Sequence, residues 1–451
     1  MRARIENELL TLQLQASGPL GARALLRALD ISQPTLSRRI AALGESVETI
    51  GNARSRRYAL RRNVRQQGHS WPIHRIQPDG SVENWGRLTA LHGGFRFVSE
   101  RADWLEREYP DRLYPGLPFF LQDVGPQGYL GRAIAREAAA VLNVPPDVRN
   151  WNDDDVLSYL LLQGKDLAGD LVVGERMLEQ ALRGAADARV YKESEREAHY
   201  PAAASAAQRG EQVGSSAGGE QPKFVSQVRR RNGTIAPVMV KFSVADVSPV
   251  QQRWMDLLLC EHLAAETIAE AGFTAVRTAV LDAGGRRFLE IERFDRVALR
   301  GRRGIVTLGA LEDALVDAMS AHWTEAAQLL ERAEWIERGT ARELRWLGCF
   351  GDLIANNDMH RSNASFWLDD PPFRLTPAYD MLPMLFAPGS QGEITEREFR
   401  PRPPLPTVAD VWPSAAAAAD RFWQRVQEDA RLSDSFRALA RRCQGELARW
   451  R

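Results

Sequence analysis

Cysteine is scarce in this 451-residue chain: the three are Cys260, Cys349 and Cys443, and they lie far apart. Their spacing excludes a disulfide scaffold and a cysteine-rich zinc site, and it suits a reducing compartment. The sequence also lacks any run of 18 apolar residues, so no membrane-spanning helix is predicted. The N-terminus, MRARIENELL, has no apolar core of a secretory signal. We therefore expect a cytoplasmic protein without membrane contact.

Net charge is absent as well, since 59 Lys and Arg residues balance 59 Asp and Glu residues. The balance is uneven along the chain: residues 1–65 hold 12 Arg and five acids, a net +7 that leaves −7 for residues 66–451. A basic N-terminal module on an acidic body indicates local contact with nucleic acid rather than general stickiness. The length favours two or three domains.

The basic segment has the pattern of a winged helix-turn-helix. It predicts three helices and a hairpin, at 5–16, 21–30, 31–44 and 47–62. In the third helix, Ser32 suits the N-cap, Pro34 suits the first turn, and Gly44 is a natural end. The hairpin carries a basic tip.

Two sets of side chains are candidates for contact with DNA. The residues predicted to meet a major groove are Gln33, Thr35, Ser37 and Arg38. Those predicted to meet phosphates or a minor groove are Arg54, Arg56 and Arg57. The alternative is a small helical domain whose arginines are merely solvated, or which binds protein.

The remaining chain mixes hairpins and helices. Hairpins are predicted at 74–88 and 275–295, and a Gly-rich turn followed by a hairpin whose second strand ends at Lys241 is predicted within 214–242. Helices are predicted at 128–142, 152–163 and 251–272, and a mainly helical stretch at 306–362. Short strands are predicted at 364–368 and 373–382, and one or two helices at 414–451. The Ala-, Glu- and Gln-rich segment 195–213 shows little periodicity and is predicted to be a loop or linker.

Four polar features follow one another in an order that suits phosphoryl transfer. They are a Gly/Ser-rich turn at 214–223, Lys241 at a strand end, the loop NNDMHRSN at 356–363, and Asp380. A glycine-rich turn lets backbone amides approach phosphates, and a lysine adds a charge there. An Asp can take the proton of the nucleophile, while Asn and Asp oxygens suit Mg²⁺. Each feature alone is weak, but their joint order favours a kinase.

The chain resembles the HipA-like serine/threonine kinases, the toxins of bacterial toxin–antitoxin pairs. The resemblance spans roughly residues 70–450 and rests on five motifs in order: SSAGGEQPKF (215–224), VMVKF (238–242), IERFDR (291–296), NNDMHRSN (356–363) and LTPAYD (375–380). It implies an α+β, two-lobed protein-kinase-like fold behind the N-terminal winged helix-turn-helix. The domains implied are 1–68 for DNA binding, 69–298 for the HipA-like N-terminal region and kinase N-lobe, and 299–451 for the mainly helical C-lobe.

The resemblance also implies ATP and Mg²⁺ as cofactors and a role for each matching residue. Asp358 would be the catalytic base, and Asn363 and Asp380 would hold Mg²⁺. Residues contacting ATP would be Gly218, Gly219, Glu220, Gln221, Lys223, Lys241, Glu292, Arg293, Phe294, His360, Asn363, Tyr379 and Asp380, with 292–294 as the hinge for adenine. Autophosphorylation would fall on Ser216, or on Ser215. Glu261 is either the helix acid that faces Lys241 or a solvated acid.

The leading interpretation is an ATP- and Mg²⁺-dependent serine/threonine protein kinase of the HipA type with its own DNA-binding domain. The alternatives are a DNA-binding transcriptional regulator whose kinase-like body is weakly active or inactive, and an ATP-binding fold without transfer. Expected partners are ATP, DNA and a protein substrate, for which the family suggests an aminoacyl-tRNA synthetase. A separate antitoxin and a homodimer are left open.

Overall fold

The computed structural model describes residues 2–52, 55–126, 138–139, 141–208, 221–316, 319–389 and 392–450. It is an α+β molecule. The helices are α1 (Arg2–Ser17), α2 (Ala22–Leu29), α3 (Gln33–Leu43), α4 (Trp104–Glu108), α5 (Phe119–Gln122), α6 (Asp153–Gln163), α7 (Glu175–Ala186), α8 (Arg196–Gln208), α9 (Pro249–Glu270), α10 (Leu308–Leu315), α11 (Trp323–Arg332), α12 (Arg338–Leu353), α13 (Trp412–Glu428) and α14 (Asp434–Ala448). The strands are β1 (Leu20–Gly21), β2 (Val47–Ile50), β3 (Arg57–Leu60), β4 (Ser70–Ile76), β5 (Val82–Leu91), β6 (Gly94–Ser99), β7 (Leu113–Tyr114), β8 (Leu171–Val173), β9 (Val190–Lys192), β10 (Lys223–Arg229), β11 (Ile235–Phe242), β12 (Thr278–Ala283), β13 (Arg286–Glu292), β14 (Arg296–Val297), β15 (Gly301–Arg302), β16 (Ile305–Thr307) and β17 (Ser365–Trp367).

The N-terminal segment packs α1, α2 and α3 against a small sheet of order β1-β3-β2. Leu10, Leu14, Leu25 and Leu36 are fully buried between these elements. Ser32 is the N-cap of α3, and Gly44, with φ +52°, ends the helix as the sequence predicts. The three predicted helices and the hairpin are therefore present, together with the short strand β1.

Strands β4 to β8, with helices α4 to α6 between them, form a second module beside the N-terminal module just described. Its sheet has the order β7-β6-β5-β4-β8. Its hairpin β4–β5 turns at Gly80, within the hairpin predicted at 74–88. Helix α6 begins at the N-cap Asn152, whose side chain accepts from the amides of Asp154 and Asp155 in a capping box. This confirms the helix predicted at 152–163.

The third sheet, of order β12-β13-β11-β10-β9, carries α9 on one face and α8 on the other. The prediction of a loop or linker at 195–213 is wrong over residues 196–208, which form α8. Alanine favours helix, and Ala203, Ala204 and Ala207 with Tyr200 make a narrow buried stripe on the sheet. Small side chains gave the stripe too weak a hydrophobic pattern to recognise in the sequence.

The C-terminal part is mainly helical, with α11, α12, α13 and α14 packed around one core. The predicted strand at 364–368 is confirmed as β17, which pairs with β16. The strand predicted at 373–382 is wrong: Phe373, Leu375 and Ala378 each form a single bridge, to three different segments. Pro377 has no amide hydrogen to extend a ladder there. In the part of the chain that the structure describes, no helix has the length and apolar character needed to cross a membrane.

Candidate active site

Lys241, the penultimate residue of β11, binds two carboxylates from different parts of the chain. Its Nζ donates to both carboxylate oxygens of Glu261 on α9, each at 2.8 Å, and to Asp380 Oδ1 at 2.5 Å. Lys241 and Glu261 are buried, while about a third of the Asp380 side chain is exposed. The interpretation of Glu261 as the acid that faces Lys241 is confirmed, and its reading as a solvated acid is wrong.

The three charges shift one another's pKa values. Burial raises the pKa of Glu261 to about 7, although Lys241 opposes the shift. Burial alone would lower the pKa of Lys241, but Asp380 and Glu261 outweigh it and raise that pKa. Burial alone would raise the pKa of Asp380, but the Lys241 ammonium outweighs burial and, with a smaller contribution from Lys223, lowers that pKa. The cation therefore stays charged and keeps Asp380 ionised.

Asp380 itself has a left-handed backbone, with φ +58°. This conformation is costly for a residue with a Cβ, so the contacts of the side chain must hold it in place. The neighbouring Tyr379 helps: its hydroxyl donates to the Ser362 carbonyl oxygen at 2.9 Å and lies 2.6 Å from Ser365 Oγ. Tyr379 thus joins the strained residue to the loop before β17.

That loop, residues 354–364, is held by its own polar side chains. Asp358 Oδ1 lies 2.6 Å from His360 Nε2, and the Asp358 amide donates to Asn356 Oδ1 at 3.0 Å. Asn363 Nδ2 donates to the Asp358 carbonyl oxygen at 2.9 Å. Asn356 is buried and shapes the loop, while part of the Asp358 carboxylate remains exposed.

Residues outside the motifs anchor this loop, and the sequence did not indicate them. The Trp323 indole, at the start of α11, donates to the His360 carbonyl oxygen at 3.0 Å. Arg361 pairs with Asp313 at 2.8 Å and with the buried Glu312 at 3.4 Å, both on α10. These contacts join segments 37 to 49 residues apart, which no local sequence pattern reveals.

The predicted hinge follows β13. The amides of Glu292 and Arg293 donate to the carbonyl oxygens of Arg277 and Pro237, at 2.8 and 2.9 Å. The Phe294 ring lies against the Tyr379 ring, with ring centroids 5.6 Å apart. Of the three residues predicted to form the hinge, Phe294 is therefore the one that borders the candidate site.

The Arg293 guanidinium binds Asp295 at 2.9 Å and Asp166 at 3.5 Å instead of the site. Lys223 is opposite Lys241 in the β10–β11 register, and Gln221 precedes it. The predicted phosphate-contacting residues Gly218, Gly219 and Glu220, and the predicted phosphorylation sites Ser215 and Ser216, lie outside the described residues.

The residues predicted to bind DNA differ in their surroundings. On α3, Gln33, Ser37 and Arg38 are exposed. Thr35 is half-buried, with Oγ1 3.0 Å from Ser32 Oγ. Among the hairpin residues, Arg56 is exposed and Arg54 lies outside the described residues. Arg57 is engaged elsewhere: it pairs with Asp111 of the second module at 3.2 Å.

Asn363 and Asp380 offer oxygen donors of the kind that Mg²⁺ prefers. Asn363 uses its amide nitrogen within the loop, which leaves its Oδ1 for a cation, and Asp380 uses only Oδ1 for Lys241. The described residues contain no group of three or more His, Cys, Asp or Glu with the geometry of a metal site. The pair therefore fits a metal that takes its other ligands from phosphates and water.

Comparison with known proteins places this site in a family. Residues 215–448, more than half of the chain, match the family model of the HipA-like C-terminal domain. Residues 67–182 match the model of the YjjJ-like toxin, middle domain. Toxin YjjJ of Escherichia coli (strain K12) is 37% identical over 437 residues, which cover 96% of each chain. The chain belongs to the family of YjjJ-like toxins with a HipA-like C-terminal domain.

Two solved structures are similar at low identity. One is HipA of Shewanella oneidensis MR-1, solved with HipB and its operator DNA: it is 15% identical, with a TM-score of 0.44, covering 89% of this chain and 93% of that one. The other is the Helicobacter pylori proinflammatory kinase CtkA, 12% identical with a TM-score of 0.36, covering 52% of this chain and 89% of that one. Because both TM-scores are below 0.5, we draw no conclusion about fold or function from either similarity.

Proposed function

We propose that the chain is an ATP- and Mg²⁺-dependent serine/threonine protein kinase of the HipA type, with a two-lobed kinase fold. The observation that carries the proposal is the joint placement of Lys241 with Glu261 and Asp380. A lysine held between an acid on a helix and a second aspartate is the arrangement that orients ATP phosphates in kinases. Membership of a family of toxins supports growth inhibition as the outcome in a cell.

Asp358 is the proposed base. One carboxylate oxygen is bonded to His360 Nε2, and the other faces no donor among the described residues. That oxygen would accept the proton of a Ser or Thr hydroxyl as the hydroxyl oxygen bonds to the γ-phosphorus of ATP, and the bond from that phosphorus to the β–γ bridging oxygen breaks to release ADP. The bonds from Asn356 and Asn363 to the backbone of Asp358 fix its position, which lowers the cost of orienting the nucleophile.

Lys241 and Lys223 would place two positive charges on the phosphates. Mg²⁺, held by Asn363 and Asp380, would neutralise further phosphate charge. Since the amides of Glu292 and Arg293 are already bonded inside the protein, adenine would use the carbonyl oxygens of the hinge and the Phe294 amide. Autophosphorylation at Ser216 or Ser215 belongs to the same proposal, because a phosphate there would compete with ATP for the phosphate-binding turn.

The test is incubation of the full chain with labelled ATP and Mg²⁺, beside Asp358→Ala and the exposed control Asp369→Ala. Label on the wild type and on the control, with transfer by Asp358→Ala lower by about 10²–10⁴-fold, is expected for loss of a general base. Equal label on all three would overturn the assignment of Asp358. No label from the wild type, on itself or on added protein from the same cells, would favour the regulator without transfer.

We further propose that residues 1–68 are a winged helix-turn-helix that binds DNA through α3. Support comes from the order of α1, α2 and α3 with the β1-β3-β2 sheet, and from the exposure of Gln33, Ser37 and Arg38. Arg38→Ala should weaken binding to the chain's own promoter DNA, while the exposed control Arg231→Ala should not. Equal binding by both variants would indicate a module that contacts protein instead.

A further inference from the structure

A cavity of about 360 Å³ lies between the second and third sheets, and Arg293 is the one residue predicted to contact ATP among the described residues that line it. Helix α7 and the turn Lys165–Asp166 form one side, and the hairpin β14–β15 and strand β10 form the other. Neither Lys241 nor Asp380 is among the described residues that line it. Its volume is within the range of small-molecule sites.

The lining of this cavity is strongly cationic. Six basic side chains line it: Lys165, Arg189, Arg293, Arg296, Arg300 and Arg302. Asp166 is the one carboxylate among the described lining residues. Arg293 and Arg296 each pair with Asp166 and also with Asp295, which does not line the cavity. The other four basic residues form no ion pair within the described part of the chain. Such a surplus of positive charge draws in anions.

Among these side chains, Arg302 gives the strongest indication of a bound anion. It is only 5% exposed, and its Nη2 donates to the Lys165 carbonyl oxygen at 2.8 Å. Its Nη1 is buried and has no hydrogen-bond partner among the described residues. Burial, together with the nearby charge of Arg296, lowers the pKa of Arg302 to about 9. An unpaired buried guanidinium donor is costly, and an anion would remove that cost.

Two further polar atoms of lining residues are also buried without a partner among the described residues: Ser226 Oγ and Gln227 Oε1, both on β10. A hydroxyl can donate to a phosphate oxygen, and an amide oxygen can accept from a ligand hydroxyl. Tyr191 and His199, which also line the cavity, stack with 3.5 Å between their ring centroids, and the Arg189 guanidinium lies 4.6 Å from the Tyr191 ring centroid.

We infer that this cavity binds a phosphorylated small molecule, with Arg302 Nη1 donating to a phosphate oxygen. A multiply charged phosphate suits the site better than a single carboxylate, because four basic residues there have no carboxylate partner. Guanidinium groups also match phosphate geometry through paired hydrogen bonds. The inference does not depend on kinase activity, since it uses none of the proposed catalytic residues.

Pyrophosphate is the probe, and calorimetric titration of the full chain is the measurement. The chain carries Asp358→Ala and is saturated with a non-hydrolysable ATP analogue and Mg²⁺, so that the proposed active site is filled. We expect about one equivalent of pyrophosphate to bind, and Arg302→Gln to weaken that binding by about tenfold or more, the value of a hydrogen bond to a charged group. Raised salt should weaken it as well.

Two variants guard against a folding artefact. Arg303→Gln, at the exposed next residue, whose guanidinium lies over the Trp367 ring, should leave pyrophosphate affinity unchanged. Arg300→Gln alters an exposed lining residue and should weaken binding without lowering the melting temperature. The inference is overturned if no pyrophosphate binds to the analogue-filled chain, or if all three variants bind it equally well.

Discussion

At the scale of single residues, Lys241 is the side chain on which the buried charge of the site depends. Replacing it by Met leaves Glu261 buried at 2% exposure with no cation. Removal of one partner from a buried ion pair costs about 3–5 kcal/mol, whereas removal of both is often neutral. We therefore expect Lys241→Met to lower the melting temperature strongly and Lys241→Met/Glu261→Leu to recover much of the loss, as measured by calorimetry. A double variant no more stable than Lys241→Met would contradict this.

A second prediction at this scale concerns the backbone of Asp380. Asp380→Ala and Asp380→Gly both remove the carboxylate, so both should lose phosphoryl transfer. They differ in the cost of the left-handed φ of +58°, which glycine adopts freely and alanine does not. We expect Asp380→Gly to be more stable than Asp380→Ala by about 1 kcal/mol, the usual cost of that conformation. Equal denaturation midpoints would show that the loop relaxes around the substituted residue.

At the scale of elements, the N-terminal module is attached to the second module by ion pairs of unequal burial. Arg62 binds Asp154, which is 29% exposed, and Arg65 binds Asp155, which is 1% exposed. Arg65 also donates to the Asn143 carbonyl oxygen at 2.8 Å. These arginines count toward the basic charge of residues 1–65, so part of that charge serves attachment rather than contact with DNA.

The difference in burial between these two ion pairs leads to a prediction about stability. Arg65→Met leaves the buried Asp155 carboxylate at the start of α6 without its cation and should lower the free energy of unfolding by about 3–5 kcal/mol. Arg62→Met should lower it by about 1 kcal/mol or less. Thermal melting compares the two variants, and limited proteolysis reports whether residues 1–65 detach. Arg65→Met/Asp155→Asn should regain part of the lost stability. If Arg62→Met proves the more damaging change, the buried pair does not control attachment.

The helices, strands and loops also show which parts of the structure could be predicted from the sequence. Residue types and their order predicted the hairpin that ends at Lys241, the helix of Glu261 and the loop of Asp358, because each has a strong local pattern. Helix α8 was missed because its buried face is built of alanine. The bond from Trp323 to His360 was missed because it joins segments that meet only in the folded chain. Local patterns therefore predicted the elements that carry the candidate residues, but not the contacts that hold those elements in place.

At the scale of the whole molecule, the second module touches the C-terminal part close to the proposed active site. Asp123, which follows α5, accepts from the Thr307 amide at 2.7 Å and from its hydroxyl at 2.5 Å. Thr307 is in turn the N-cap of α10, whose residues hold the loop of Asp358, the proposed base, through Arg361. One carboxylate thus links two parts of the chain that are 184 residues apart.

That carboxylate should make the stability of the molecule depend on pH. Burial raises the pKa of Asp123 from 3.8 to about 6, although the bonds from Thr307 oppose the shift. The folded state therefore holds the proton more tightly than the unfolded state, so the contribution to stability is complete below pH 4 and is lost as the pH rises through 6. The loss is at most about 3 kcal/mol for a shift of this size. Asp123→Asn cannot lose a proton, so its melting temperature relative to wild type should rise between pH 4 and pH 6 and then level off. The exposed control Asp369→Asn should show a constant difference, and a constant difference for Asp123→Asn would mean that its carboxyl titrates alike in both states.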